Sequence, residues 1–143
     1  MSAWRRKAIE LLPEQRVVID ASGNPVALWV ELHSLFHYAV KEEQMDWLGR
    51  LFAYADWCWK ESRSVDGVNG ALIGCYESIP WRKEHWWTAP AFISTPDFYA
   101  LEDSFRYGLN EEQYQEFSAY YHEGRKKSEK SALKRRKDSS FFQ

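Results

Sequence analysis

Histidines, cysteines and carboxylates are the side chains of this 143-residue chain with the clearest potential for chemistry. His33 and His37 lie four residues apart, a spacing that places two imidazoles on one helix face, where both could bind one metal ion. Cys58, Cys75 or a carboxylate could complete the ligand set. Two ordinary histidines at the edge of an apolar stripe are the alternative. Structural zinc sites usually carry closely spaced ligand pairs, and the chain contains neither CxxC nor HExxH. We therefore predict no bound cofactor.

Glu77 is the carboxylate best placed for acid–base chemistry. It lies near the glycine-rich side of a helix that the sequence predicts to be buried, where a dry site would raise its pKa. A structural carboxylate bonded to Asn69 or to a helix terminus is the alternative. The chain lacks a GxSxG elbow and a glycine-rich phosphate loop with a lysine. The sequence thus favours a non-enzymatic protein; the alternative is a ligand-binding or metal-binding protein, or an enzyme, with a pocket near His33, His37 and Glu77.

Residues 80–94, which we call the aromatic segment, hold the densest cluster of tryptophans and cations. Trp, Tyr and Arg are the residues most often found at the energetic centre of protein interfaces, so this segment is a candidate recognition surface. Alternatively, the aromatic side chains of this segment pack into the hydrophobic core. The predicted partner-binding residues combine this segment with exposed positions of the preceding helix: Asp46, Asp56, Trp57, Glu61, Trp81, Trp86 and Trp87.

Charge is distributed unevenly along the chain. Residues 1–124 carry 11 Lys and Arg against 19 Asp and Glu, a net charge of −8, whereas residues 125–143 carry eight against two, a net of +6. We predict a helical domain over 1–124 and a flexible basic extension over 125–143. The acidic body would suit a basic protein partner. Residues 125–137 could contact nucleic-acid phosphates, although a solvated end of the chain explains the same charges.

The elements that would position these residues are helices. Apolar residues recur at helical spacing, and helix-capping residues at Ser2, Asn24, Ser64, Thr95 and Asn110 divide the chain into about six helices. Residues 17–19 favour an extended segment. We predict an all-α fold, a single compact bundle with a buried central helix near 65–79. Its glycines at 67, 70 and 74 indicate that another backbone approaches closely.

The length and composition suit one tryptophan-rich globular domain. The longest apolar run covers only residues 26–30, far short of the about 20 residues that a membrane span requires, so we expect no membrane contact. The apolar stretch at residues 8–12 is broken by Glu10 and is too short for a signal peptide. We expect a cytoplasmic protein in which both cysteines are reduced and buried.

The stretch from Asp56 to Pro80 resembles a group of small all-helical bacterial domains of unknown function. In these domains a helix of bulky residues precedes a Val-Asn pair, and a Glu follows near the end of the next helix; the matching positions are Val68, Asn69 and Glu77. Similar domains occur as candidate immunity proteins in bacterial toxin systems. The resemblance implies a bacterial protein that binds a protein partner, in the most concrete case a toxin whose active site it covers.

Overall fold

The computed structural model describes the backbone of residues 1–141 and the side chains of residues 1–137. Residues 142 and 143 of the predicted basic extension lie outside the described residues. The described part contains helices and no strand, which confirms the all-α class. Nine α-helices are present there: α1 (Ala3–Leu11), α2 (Arg16–Ala21), α3 (Pro25–Lys41), α4 (Met45–Glu61), α5 (Val65–Ala71), α6 (Thr88–Phe92), α7 (Thr95–Ala100), α8 (Glu102–Arg106) and α9 (Glu111–Phe141).

Two of the helix starts follow directly from capping residues. At α3, the Asn24 side chain accepts a hydrogen bond of 2.8 Å from the Ala27 N–H, and Pro25 occupies the first helical position. At α9, Asn110 and Gln113 form a reciprocal capping box, in which each side chain accepts from the backbone N–H of the other. These local hydrogen bonds satisfy amide groups that the helix itself leaves unpaired.

The core is formed by one apolar face of each long helix. On α3 and α4 the buried side chains recur every three or four residues, as the sequence pattern predicts. Each fully buried Leu or Phe contributes about 1.5–3 kcal/mol through the removal of apolar surface from water. The largest fully buried side chains of the core are aromatic: Trp29, Tyr54, Tyr121, Phe36, Phe98, Phe105 and Phe117.

The central helix departs from its predicted form. It is α-helical only over Val65–Ala71 and continues as a π-helical turn over Leu72–Tyr76, instead of reaching residue 79 as one α-helix. The predicted close approach is confirmed at two glycines, which face Trp29 of α3. A Cβ at Gly70 would lie 2.8 Å from Trp29 Cδ1, and one at Gly74 would lie 3.0 Å from Trp29 Cβ. Only residues without a side chain leave room for this indole.

The number of predicted helices was too low because short helices interrupt three regions. Residues 16–21, where we expected extended chain, form α2. The predicted fifth helix is capped by the Ser94 side chain rather than by Thr95, and it divides at Leu101 into α7 and α8. The aromatic segment contains two 3₁₀ turns of three residues and the five-residue helix α6.

Helix α9 crosses the predicted domain boundary at residue 124 without interruption. It is 31 residues long, so at 1.5 Å per residue it extends about 46 Å. Tyr114, Phe117 and Tyr121 bury its first half against the body, whereas residues 126–137 are exposed. The basic segment predicted as a flexible tail is therefore a helix in this structure, consistent with its many good helix formers, mainly Lys and Arg.

Within the described residues, no helix is both long enough and apolar enough to cross a membrane.

Candidate functional site

A groove opens between α3 and the central helix and encloses about 430 Å³. We call it the α3–α5 groove. Trp29, Gly70 and Gly74 contribute to its walls, where the two helices approach most closely. Its complete lining comes from one face of α3 and from the central helix with the turn that follows: Val26, Trp29, Val30, His33, Ser34, Asn69, Gly70, Ile73, Gly74 and Ser78.

The groove exposes aliphatic side chains on both sides. Val30 of α3 is 62% exposed and Ile73 of the π-helical turn is 61% exposed, and Val26 is also exposed beside them. A single exposed aliphatic side chain is ordinary on a soluble protein. Three that line one concave surface are typical of a site where a partner or ligand covers apolar area.

One polar group is firmly held in the wall of the groove. His33 Nδ1 lies 3.0 Å from the carbonyl oxygen of Gly74. Because a carbonyl can only accept a hydrogen bond, Nδ1 is the nitrogen that donates, and Nε2 is left as the ring's acceptor in the neutral form. This contact connects α3 to the π-helical turn and fixes the orientation of the imidazole.

The groove adjoins a smaller hollow of about 200 Å³, lined by His33, Ile73, Glu77, Ser78, Trp81 and Arg82. Three predicted site residues therefore share this hollow: His33, Glu77 and Trp81. Burial of the Glu77 carboxylate raises its pKa above the ordinary value. The polar end of the site can thus supply a carboxylate and an imidazole, next to a groove that supplies apolar contact.

His37 belongs to a different site. Its Nδ1 lies 2.9 Å from Nε2 of His85, in the wall of a separate hollow of about 410 Å³. His85 is buried, and burial, followed by the charge of His37, lowers its pKa to about 4. The His85 ring is therefore neutral near pH 7, and in this contact one of the two nitrogens donates and the other accepts. Protonation of both rings would place two N–H donors against each other.

The two histidines predicted as a pair do not converge on one ion, because His33 bonds to Gly74 and His37 bonds to His85. Within the described residues, no group of three or more His, Cys, Asp or Glu is arranged to hold a metal. Both cysteines are buried and unpaired, as expected. Burial raises the pKa of Cys58 to about 11 and also raises that of Cys75, which disfavours the thiolate needed for metal binding or nucleophilic attack.

The acidic candidates lie on α4, outside the groove lining. Asp46 pairs with Arg50 at 3.0 Å, and Asp56 pairs at 2.8 Å with Lys60, which also contacts Asp97. Glu61 is exposed at the end of the helix. Two of these three carboxylates are therefore already paired within the chain.

The tryptophan candidates divide between core and surface. Trp86 is only 8% exposed, donates a 3.0 Å hydrogen bond from its indole N–H to the Pro80 carbonyl, and packs edge-on against Phe117. Trp81 is 58% exposed, beside the groove. Trp57 and Trp87 are half-buried; Trp57 stacks on Tyr54.

The groove residues Val26, Val30 and Ile73 were missed because sequence reasoning concentrated on the core stripes and on aromatic residues. All three lie off the apolar stripe of their helices. An aliphatic residue on the face opposite to the core stripe is the signal that could have identified them. His85 carried no such signal, since its neighbourhood has no regular period.

Comparison with known proteins gives this chain no relative. No protein-family model matches it, and no curated protein or solved structure does so either. The resemblance of residues 56–80 to bacterial immunity-type domains therefore stays a prediction, and a functional proposal must rest on the geometry of the chain itself.

Proposed function

We propose that this protein is a protein-binding module whose α3–α5 groove binds an apolar segment of a partner. The observation that carries the proposal is the exposure of Val26, Val30 and Ile73 around one groove of about 430 Å³. A groove between two helices is a common receptor for an amphipathic helix, which inserts residues at positions i, i+3 or i+4, and i+7.

The charge of the chain specifies the partner further. Residues 1–124 carry a net charge of −8, so a segment with basic residues beside its apolar positions would be attracted, and a segment with acidic residues would be repelled. The polar end of the site, where Glu77 lies near Arg82 and His33, would accept a polar group at one end of the bound segment. We therefore propose a basic amphipathic helix as the ligand.

A direct test uses a synthetic peptide of about 16 residues, with Leu at helical spacing and Lys between, labelled for fluorescence anisotropy. We expect saturable binding to the intact chain. The double variant V30D/I73D places two carboxylates in the groove and should weaken binding at least about tenfold, because the apolar contacts would then have to desolvate charges. The peptide's Lys residues make this a stringent test, since added negative charge alone would increase affinity.

Val17 provides the matched control. It lies on α2 outside the groove lining and is 82% exposed, so V17D adds one carboxylate at a still more accessible aliphatic position without changing the groove. We expect V17D to bind the peptide as tightly as the unmodified chain or slightly more tightly. Equal loss in V17D and V30D/I73D, or no loss in either, would contradict the proposal.

In its most concrete form, the partner is a bacterial toxin and the protein is its immunity protein. Growth protection tests this form: a toxin-like product encoded beside this gene should be lethal alone and harmless with the intact chain. Co-expression with V30D/I73D should fail to protect, whereas V17D should protect. If the chain does not protect against the toxin but still binds the peptide through the groove, the protein-binding function stands and the immunity-protein form is rejected.

A further inference from the structure

We infer that α9 pairs antiparallel with α9 of a second copy of this chain, through the helix face that points away from the body. This inference does not depend on the proposed function, because α9 contributes no residue to the lining of the α3–α5 groove. It rests on the order of charges along the outward face, on like-charge neighbours within that face, and on the register that these charges define.

The outward face of α9 is defined by its buried residues. Tyr114, Phe117 and Tyr121 are buried against the body on one side of the helix. At 100° per residue, the opposite side carries glutamates in its first half and lysines in its second half. All of these outward residues are exposed: Glu112, Glu116, Glu123, Lys126, Lys130, Lys134 and Lys137.

Stabilisation of α9 by its own charges does not account for this face. Acidic residues near the start of a helix and basic residues near its end are favourable. Like charges four residues apart are unfavourable, however, and the outward face contains three such pairs: Glu112 with Glu116, Lys126 with Lys130, and Lys130 with Lys134. Among the described side chains, Glu116 is the only one of the seven outward residues with an ion pair, to Lys83 at 2.9 Å. An external surface of opposite charge would relieve this repulsion.

A second copy of α9 supplies that surface in one orientation. When two such helices run antiparallel and cross between residues 124 and 125, Glu123 of each lies beside Lys126 of the other. Glu112 and Lys137 are each about 19 Å from the crossing point, so they meet in the same register. Glu116 then lies near Lys134. A two-fold axis makes every contact twice, and the two helix dipoles also oppose each other. Parallel pairing would place like charges together.

Polyanions such as nucleic acid are the competing occupant, since the four lysines alone would attract phosphates. The outward glutamates on the same face disfavour a long polyanion that lies along the whole helix. A second copy of α9 pairs with both halves of the face, because its lysines meet the glutamates and its glutamates meet the lysines. An ion-paired interface without an apolar centre predicts a weak dimer that high salt dissociates.

Sedimentation equilibrium of the full chain tests this inference through a charge exchange. In about 50 mM NaCl we expect a dimer that weakens at least about tenfold in about 500 mM NaCl. The variants K126E/K137E and E112K/E123K should each weaken it at least about tenfold, because each places like charges opposite one another where residue 123 meets 126 and where residue 112 meets 137. An equimolar mixture of the two should form a heterodimer, and the chain that carries all four substitutions should dimerise again.

The matched control is K41E/R63E, which changes net charge by the same amount as K126E/K137E at exposed positions of α3 and the α4–α5 loop. We expect it to dimerise like the unmodified chain. Circular dichroism checks that every variant keeps its helix content. A chain that stays monomeric in low salt, or a dimer that neither double variant weakens, would overturn the inference. A monomer that binds a short DNA duplex, and loses this binding in K126E/K137E, would replace it with a nucleic-acid site.

Discussion

The aromatic segment and the α3–α5 groove show opposite relations between residue type and exposure. The aromatic segment has the residues typical of an interface, yet Trp86 and His85 are buried, and of its three tryptophans only Trp81 is largely exposed. The groove is lined on its exposed sides by ordinary aliphatic residues, Val30 and Ile73, which remain accessible. The difference shows that large aromatic side chains in this segment fill space in the core. An accessible apolar surface forms instead where α3 and the central helix leave aliphatic side chains uncovered.

This contrast has a mechanical origin. The aromatic segment consists of short turns between prolines, so its backbone can follow the body closely and bring indoles into gaps between helices. The central helix and its π-helical turn, by contrast, lie close to α3 because Gly70 and Gly74 place no side chain against Trp29. The groove opens beside this contact.

The largest effect is expected at Trp86. W86A removes a buried indole that packs edge-on against Phe117. It also leaves the Pro80 carbonyl oxygen without its hydrogen-bond donor. We expect the free energy of unfolding to fall by about 3–5 kcal/mol, measured by urea denaturation. W81A is the matched control: its indole is 58% exposed, and we expect a loss of about 1 kcal/mol or less. Equal losses would show that the segment does not divide as the structure describes.

The second effect is the pH dependence of stability caused by His85. Its pKa is lowered to about 4 in the folded state, by burial and then by His37. Between about pH 6.5 and 4 the unfolded chain therefore binds a proton at this residue that the folded chain excludes. The free energy of unfolding should decrease as the pH falls through this range, by at most about 3 kcal/mol. Below about pH 4, His85 should cause no further decrease, because it is then protonated in both the folded and the unfolded chain.

The variant H85N tests this assignment. It removes the titrating group, so its free energy of unfolding should depend less on pH between about 6.5 and 4 than that of the unmodified chain. His122, a half-buried histidine of α9, provides the control variant H122N, which should keep the original pH dependence. If H85N and H122N reduce the pH dependence of the free energy of unfolding equally, the buried His85 is not the cause of that dependence.

The third effect concerns the close approach beneath the groove. G70A would place a Cβ 2.8 Å from Cδ1 of Trp29, whose ring is buried and stacked on Tyr54. Since this ring has little room to move, we expect a loss of about 1–3 kcal/mol in the free energy of unfolding. A Cβ at Gly23 would meet no atom within 4 Å, so G23A should change stability by about 0.5 kcal/mol or less. Thermal and urea unfolding of both variants would measure the difference.

The smallest effect is expected at the exposed groove residues. V30S and I73S remove aliphatic surface that is mostly accessible, so each should change the free energy of unfolding by about 0.5 kcal/mol or less. L32A, two residues from Val30 on the core side of α3, should cost about 2–5 kcal/mol. A large loss in V30S would mean that the groove residues stabilise the fold rather than remain available to a partner.

Several elements could be predicted from local sequence because their causes are local. The start of α3 follows from Asn24 and Pro25, and the start of α9 follows from the Asn110–Gln113 capping box. The glycines of the central helix also predicted a close contact, although its partner, Trp29, could not be identified. Breaks within helices were harder to predict: the division at Leu101 and the π-helical turn at 72–76 have no comparable local signal.

The candidate site was less predictable than the fold. His33 and Glu77 were identified as candidates and share one hollow, but the expected partner His37 pairs with His85 instead. That pairing joins residues 48 positions apart, so no spacing rule within a helix could indicate it. The apolar residues of the groove were outside both core stripes, which is why an analysis of core periodicity assigned them no role.

The sequence by itself determined the helical class, the caps at Asn24, Ser64 and Asn110, the apolar faces and the division of charge, because each depends on residues within a few positions of one another. The predicted cap at Ser2 forms no side-chain capping bond, and Ser94 replaces Thr95. The tertiary structure decided which tryptophan fills the core, which histidines meet, and which aliphatic residues remain exposed beside Gly70 and Gly74. These outcomes depend on helices that are distant in sequence and compete for the same volume. Local periodicity specifies the face that a helix buries, but only packing determines what covers that face and what the opposite face leaves open.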